Sequence, residues 1–169
     1  DGTTDDASSF RKMLFALSET SGITVALSGK SYALTLDPGL VVPEGNGIDG
    51  EGATILARLI GQEQYGVFSS DRHLFQMKSN TFLRKMTIDN IHMPINDLGV
   101  YRYHIQMGDM KTGKGVHHIE LSDLTIKGGY DGNNAISVWG DSSNIKIQRI
   151  HFPANNRIGA AIAVEWGPD

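Results

Sequence analysis

The chain contains no cysteine, so neither a disulfide framework, a thiol nucleophile nor a thiolate metal site can be built from its 169 residues. No apolar run approaches the length of a membrane-spanning helix, and the start at Asp1 lacks the basic and apolar segments of a signal peptide. The expectation is a soluble chain with no membrane partner. It also lacks an excess of basic charge. Fifteen Lys and Arg against 19 Asp and Glu give a formal net charge of -4, leaving no overall positive field to attract phosphate backbones, so nucleic acid is not an expected partner. Aromatic residues are only 8% of the chain, whereas 20 glycines and 40% hydrophobic residues point to a real core crossed by many tight turns.

Helical spacing occurs once. Thr4-Asp5-Asp6 offers capping oxygens and negative charge, and Phe10, Met13, Leu14 and Leu17 follow on one face, which predicts an amphipathic helix over residues 5–18. Beyond Gly22 the period shortens to 2, as in Ile23, Val25 and Leu27. The remainder reads as short strands between turns such as Asp37-Pro38-Gly39, Glu44-Gly45-Asn46-Gly47 and Lys127-Gly128-Gly129.

Self-comparison reveals a repeat. Thr81 to Ile88, Ile119 to Ile126 and Ile145 to Phe152 align with apolar residues at relative positions three, six and eight. A second register agrees, because Ala135-Ile136-Ser137-Val138 returns as Ala161-Ile162-Ala163-Val164, with the 26-residue offset that also separates Leu124 from Ile150. Weaker counterparts lie at His73 to Met77 and Tyr103 to Met107. No unit could cover its own apolar face, so stacking is required. The predicted fold is an all-β, right-handed parallel β-helix, a solenoid of three-faced coils with an N-terminal amphipathic capping helix. Residues 1–169 form one domain in this reading, divided into a capping part (1–21) and coils (22–169), with Ile136 against Ile162 and Val138 against Val164 inside.

These residues then carry a family resemblance. Asp1-Gly2-Thr3-Thr4-Asp5-Asp6 with its helix resembles the opening motif of the pectate-lyase-like superfamily, which includes pectin-degrading enzymes, epimerase-like proteins and phage tailspikes. Gly29-Lys30-Ser31-Tyr32 is similar to that family's Pro-Gly-x-Tyr turn, with Ser28 in place of proline. Leu40-Val41-Val42-Pro43 and Ile48-Asp49-Gly50-Glu51-Gly52-Ala53-Thr54-Ile55-Leu56 are similar to its next segment. The resemblance is specific over residues 1–57 and generic afterwards. It implies polysaccharide as partner, cleavage by a lyase or a glycoside hydrolase, an extracellular or virion-surface location, and a homotrimer if the chain is a tailspike. It also implies truncation at both ends, since a strand that members carry before the opening motif is missing and no cap follows Ala161 to Trp166. The alternative is a non-catalytic scaffold or adhesion module.

The signatures of the polygalacturonase and calcium-dependent branches are absent, so candidate site residues come from alternation alone. With Val138 and Val164 inward, Trp139 and Glu165 are expected to point outward in consecutive coils, roughly 4.8 Å apart. An indole beside a carboxylate suits a sugar ring. Trp139, Trp166, His151 and Arg149 are therefore the candidate substrate-binding residues, and Glu165, Asp141 and Asp131 the candidate catalytic carboxylates. The alternative places both tryptophans beneath a turn or against a neighbouring subunit. His117-His118 with Lys114, or His151 with Arg149 and Arg157, could serve a lyase as base and cation. Adjacent strand histidines point to opposite faces and no third ligand is suitably spaced, so no metal and no cofactor is expected. Asn144 and its neighbours at turns read as architectural.

Overall fold

A computed structural model describes residues 4–35, 39–58, 73–89, 103–109, 112–128, 134–154 and 160–165. Helix α1 (Ala7–Ser18) buries Ala7, Phe10, Leu14 and Leu17. It starts two residues later than its spacing suggests, because the two aspartates before it have other duties. Asp5 Oδ1 accepts the Ala7 N–H at 3.0 Å, and Asp6 Oδ2 accepts the Ala33 N–H at 3.1 Å. The second bond ties the helix start to the sheet, and Phe10 meets Tyr32 edge to face at 5.3 Å between ring centroids. No helix among the described residues is long and apolar enough to cross a membrane.

Eleven strands follow among the described residues: β1 (Thr24–Ala26), β2 (Ser31–Thr35), β3 (Leu40–Val42), β4 (Gly47–Arg58), β5 (His73–Met77), β6 (Thr81–Asp89), β7 (Tyr103–Met107), β8 (His117–Lys127), β9 (Asn134–Trp139), β10 (Ser143–His151) and β11 (Ala160–Glu165). They form two sheets. The first runs β1-β4-β6-β8-β10, with β2 also paired to β4, and the second runs β11-β9-β7-β5-β3. Every strand pair is parallel, and from β3 onward the chain alternates between the sheets. The 26-residue offset is the pairing register of the last strands: Ile150 lies opposite Leu124, Ile162 opposite Ile136 and Val164 opposite Val138.

The expected all-β right-handed parallel β-helix is corrected by this arrangement. The described residues form two sheets of parallel strands with one helix, not a solenoid of three-faced coils, and wholly parallel pairing is the habit of α/β sheets. The reason lies in one residue per long strand. Lys85, Asp123 and Arg149, the fifth positions of the three aligned segments, have left-handed backbone with φ of 54°, 55° and 53°. Each bends its strand without ending it, so each aligned segment belongs to one continuous, bent strand. The bend also explains the apolar spacing, since the step from the third to the sixth position crosses it and returns Met86, Leu124 and Ile150 to the side of Leu83, Leu121 and Ile147. A second left-handed column, Asn80, His118 and Asn144, stands just before the same segments, with φ of 58°, 59° and 55°.

The core lies between the sheets and includes Ile48, Leu83, Leu121, Ile88 and Ile126 from the first and Phe75, Ile105, Met77 and Met107 from the second. Ile162 and Val164, expected inside, are exposed, Val164 by 72%, because β11 is an edge strand with a sheet neighbour on one side only. The second sheet is unusual in burying both faces: β7 and β9 are buried at nearly every described position. His104 is enclosed there, with Nε2 3.2 Å from the Gly128 carbonyl.

Burial pushes His104 down to about 4, against the partial support of bonds to the Gly128 and Asn134 backbone. Above the ordinary value of 6.5 both folded and unfolded states are neutral there, and His104 adds no pH dependence. As pH falls from 6.5 to about 4 only the unfolded chain takes the proton, so stability falls and then levels off, by about 3 kcal/mol at most. Urea midpoints measured across that window should show the decline, and His104→Gln should flatten it.

Candidate functional site

The residues singled out from alternation do not gather into one site. Trp139 is buried, with 7% exposure, because the outer face of β9 is covered as well as its inner face. This corrects its expected exposure to solvent, while its side of the strand is the one that alternation gives. Glu165 lies opposite Trp139 in register and accepts a 3.4 Å hydrogen bond from Asn134 Nδ2. Asp141 sits in the turn after β9, where its Oδ1 accepts the Gly115 N–H at 2.5 Å, and beside it Ser142 Oγ accepts the Val116 N–H at 3.0 Å. Those two side chains fasten the 112–116 segment. Arg149 belongs to the first sheet, at its bend, and spends its forked guanidinium on Asp123 at 2.5 and 2.8 Å. That pair holds the Asp123 carboxyl below its ordinary range. His151 is exposed at the end of β10, opposite Thr125. Asp131, Trp166 and Arg157 lie outside the described residues. Of the other histidines, both at the start of β8, His117 Nδ1 is 2.9 Å from Ser143 Oγ and His118 Nε2, in the left-handed column, is 3.3 Å from Asn144 Nδ2.

A different cleft brings chemistry together. Val42, Met77 and Met107 end β3, β5 and β7 side by side in register, so the chain leaves three parallel strands at the same edge. The residues just beyond are Glu44, Lys78 and Asp109, and with Gln76 and Lys114 they line one cleft. Carboxyl ends of parallel strands are where α/β sheets collect their ligands, since that edge gathers successive turns. Glu44 is exposed and accepts a 3.4 Å bond from Asn80 Nδ2. Asp109 is half-buried and fixed by its own loop: its N–H donates to the Lys114 carbonyl at 2.9 Å, its carbonyl accepts from Gly113 at 2.9 Å, and its Oδ1 accepts from Thr112 at 3.3 Å. Behind the cleft runs a polar row, Gln76, Gln106 and Ser137, paired across β5, β7 and β9.

A shallower groove crosses the outer face of the first sheet, where Phe82, Glu120 and Lys146 are register neighbours beside Asn80, His118 and Asn144. Its one carboxylate is held by Lys146 Nζ at 3.7 Å and Gln148 Nε2 at 3.2 Å. The Phe82 ring lies over Gly47, where a Cβ would strike it, and the Arg84 guanidinium sits 4.7 Å from its centroid. The ring is thereby committed to the fold. The cleft, with two carboxyl groups and two ammonium groups, has the richer chemistry.

Glu44 and Asp109 were not among the candidates from sequence. The available signal was the second register: aligning Leu40 to Val42, His73 to Met77 and Tyr103 to Met107 puts the residues after each strand in one column.

No family model matches the chain, and no curated protein matches it in sequence. A solved structure from Parabacteroides merdae, described as a "putative glycosyl hydrolase", shares the fold with a TM-score of 0.55 at 14% identity, over 98% of this chain and 88% of that one.

Gly108 is the hinge of the cleft. Its φ is 81°, and a Cβ there would collide with the Trp139 carbonyl oxygen. Gly108→Ala should lower the urea midpoint by the equivalent of about 2 kcal/mol, combining left-handed strain with that collision.

Proposed function

We propose that this chain binds polysaccharide and hydrolyses its glycosidic bonds at the cleft, with Glu44 and Asp109 as the paired carboxyl groups. The observation that carries this reading is that two carboxyl residues, Glu44 and Asp109, line one cleft at the ends of three aligned parallel strands. Hydrolysis of a glycoside needs that pair. One carboxylic acid protonates the departing oxygen, while the other either deprotonates an attacking water or bonds to the anomeric carbon, to be displaced by water in a second step. Lys78 and Lys114 bring cationic donors to the same cleft, suited to sugar hydroxyls. The fold likeness to a protein described as a glycosyl hydrolase and the resemblance of residues 1–57 to carbohydrate-active proteins support the same reading. An extracellular setting, where polysaccharide is met, belongs to this proposal.

Incubation with a panel of neutral and uronate polysaccharides should release reducing ends without the ultraviolet absorbance of unsaturated uronates. Absorbing product would indicate a lyase, and no product at all a binding scaffold. Glu44→Gln and Asp109→Asn should each lower kcat by about 100-fold or more while leaving thermal stability and polysaccharide binding in place. Full activity in both variants would remove the cleft from consideration.

A further inference from the structure

We propose that Gln106 is a positioning residue for the cleft, setting the turn that carries Asp109; this rests on the reading of the cleft given above. Gln106 is 4% exposed on the outer face of β7, between Gln76 and Ser137 in register. Its Nε2 donates to the Gly108 carbonyl at 3.1 Å, the peptide oxygen immediately before Asp109. Among the described residues its buried Oε1 meets no partner, and neither does Ser137 Oγ on the neighbouring strand.

An apolar side chain of similar shape would suit such a site about as well for folding. A buried acceptor left unsatisfied costs about 1–3 kcal/mol; an apolar group of the same shape would remove that cost but would leave the Gly108 carbonyl without its donor, an effect of similar size and opposite sign. Two other outward positions of these strands, Leu74 and Ala135, are apolar, and the polar His104 between them is held by the Gly128 carbonyl. Packing therefore gives no reason for the amide, whereas its single bond does. Gly108 turns the chain off the sheet in left-handed conformation, pressed against the Trp139 carbonyl. A donor fixed on the rigid strand orients the peptide from which Asp109 extends, and the Asp109 backbone passes that orientation to Gly113 and Lys114. Misplacing a reacting group by about 1 Å costs on the order of 100-fold in rate.

Gln106→Met removes the donor and the orphaned acceptor while keeping the shape. On the panel polysaccharide that the unaltered protein cleaves fastest, kcat should fall about tenfold with KM little changed, and the pH-rate limb belonging to Asp109 should move. The melting temperature should change little, since the loss of the orphaned Oε1 offsets the loss of the Gly108 bond, whereas an amide kept only for structure would lower stability and activity together. Ser137→Ala, which leaves the Gly108 bond intact, should keep kcat unchanged. Unaltered kcat and pH profile in folded Gln106→Met would overturn the proposal. Should that variant not fold, Gln106→Asn, which is one methylene short of Gly108, decides the matter in the same way. Asp109→Asn separates the two ideas: if it retains activity the reading of the cleft fails, and if it is inactive while Gln106→Met is fully active only the positioning role fails.

Discussion

Parallel pairing in register is the constraint on which the rest of this structure depends. A strand of one sheet returns beside its equivalent only after the chain has passed through the other sheet, so each pairing is long-range and fixes both sheets at once. A shift of one residue would turn every inward side chain outward. The apolar rows that cross the strands, such as Leu83 beside Leu121 and Phe75 beside Ile105 and Ile136, hold the register, because each is buried against its equivalents.

The same register stacks the exceptions. Lys85, Asp123 and Arg149 bend their strands through left-handed backbone, which costs a non-glycine residue roughly 1–2 kcal/mol. Stacking turns that cost into an opportunity for pairing, since the bends carry charges of alternating sign. Arg149 bonds Asp123 across adjacent strands, and Lys85 reaches Asp49 at 3.1 Å, where Arg84 also bonds at 2.8 Å. The carboxyl of Asp49 is held below its ordinary range, the lysine, arginine and Glu51 backbone bonds outweighing the desolvation that opposes them. These charges brace the bend, where Arg149 is engaged with Asp123.

Alignment at the strand ends builds the cleft. β3, β5 and β7 stop together at Val42, Met77 and Met107, so the turns that follow are brought to one place, each free to carry a polar residue. Glu44, Lys78 and Asp109 occupy those turns. The opposite arrangement holds within β9, whose covered outer face leaves Trp139 no access to solvent. Chemistry here collects at the edge of the second sheet, not on its broad face.

The sequence by itself determined the helix with its buried face of Phe10, Leu14 and Leu17, the two 26-residue registers, and the pairings of Ile136 with Ile162 and of Leu124 with Ile150. Periodicity records these because burial on one side leaves a regular apolar mark. Tertiary structure decided that the repeat forms two sheets with bent strands, since one left-handed residue looks the same in sequence whether it bends a strand or ends it. It also decided that Trp139 is buried, because alternation describes one face of a strand and is silent about what covers the other. The meeting of Glu44 with Asp109 was decided there too: 65 positions apart in the chain, they share a cleft only because parallel pairing brings the ends of β3, β5 and β7 together.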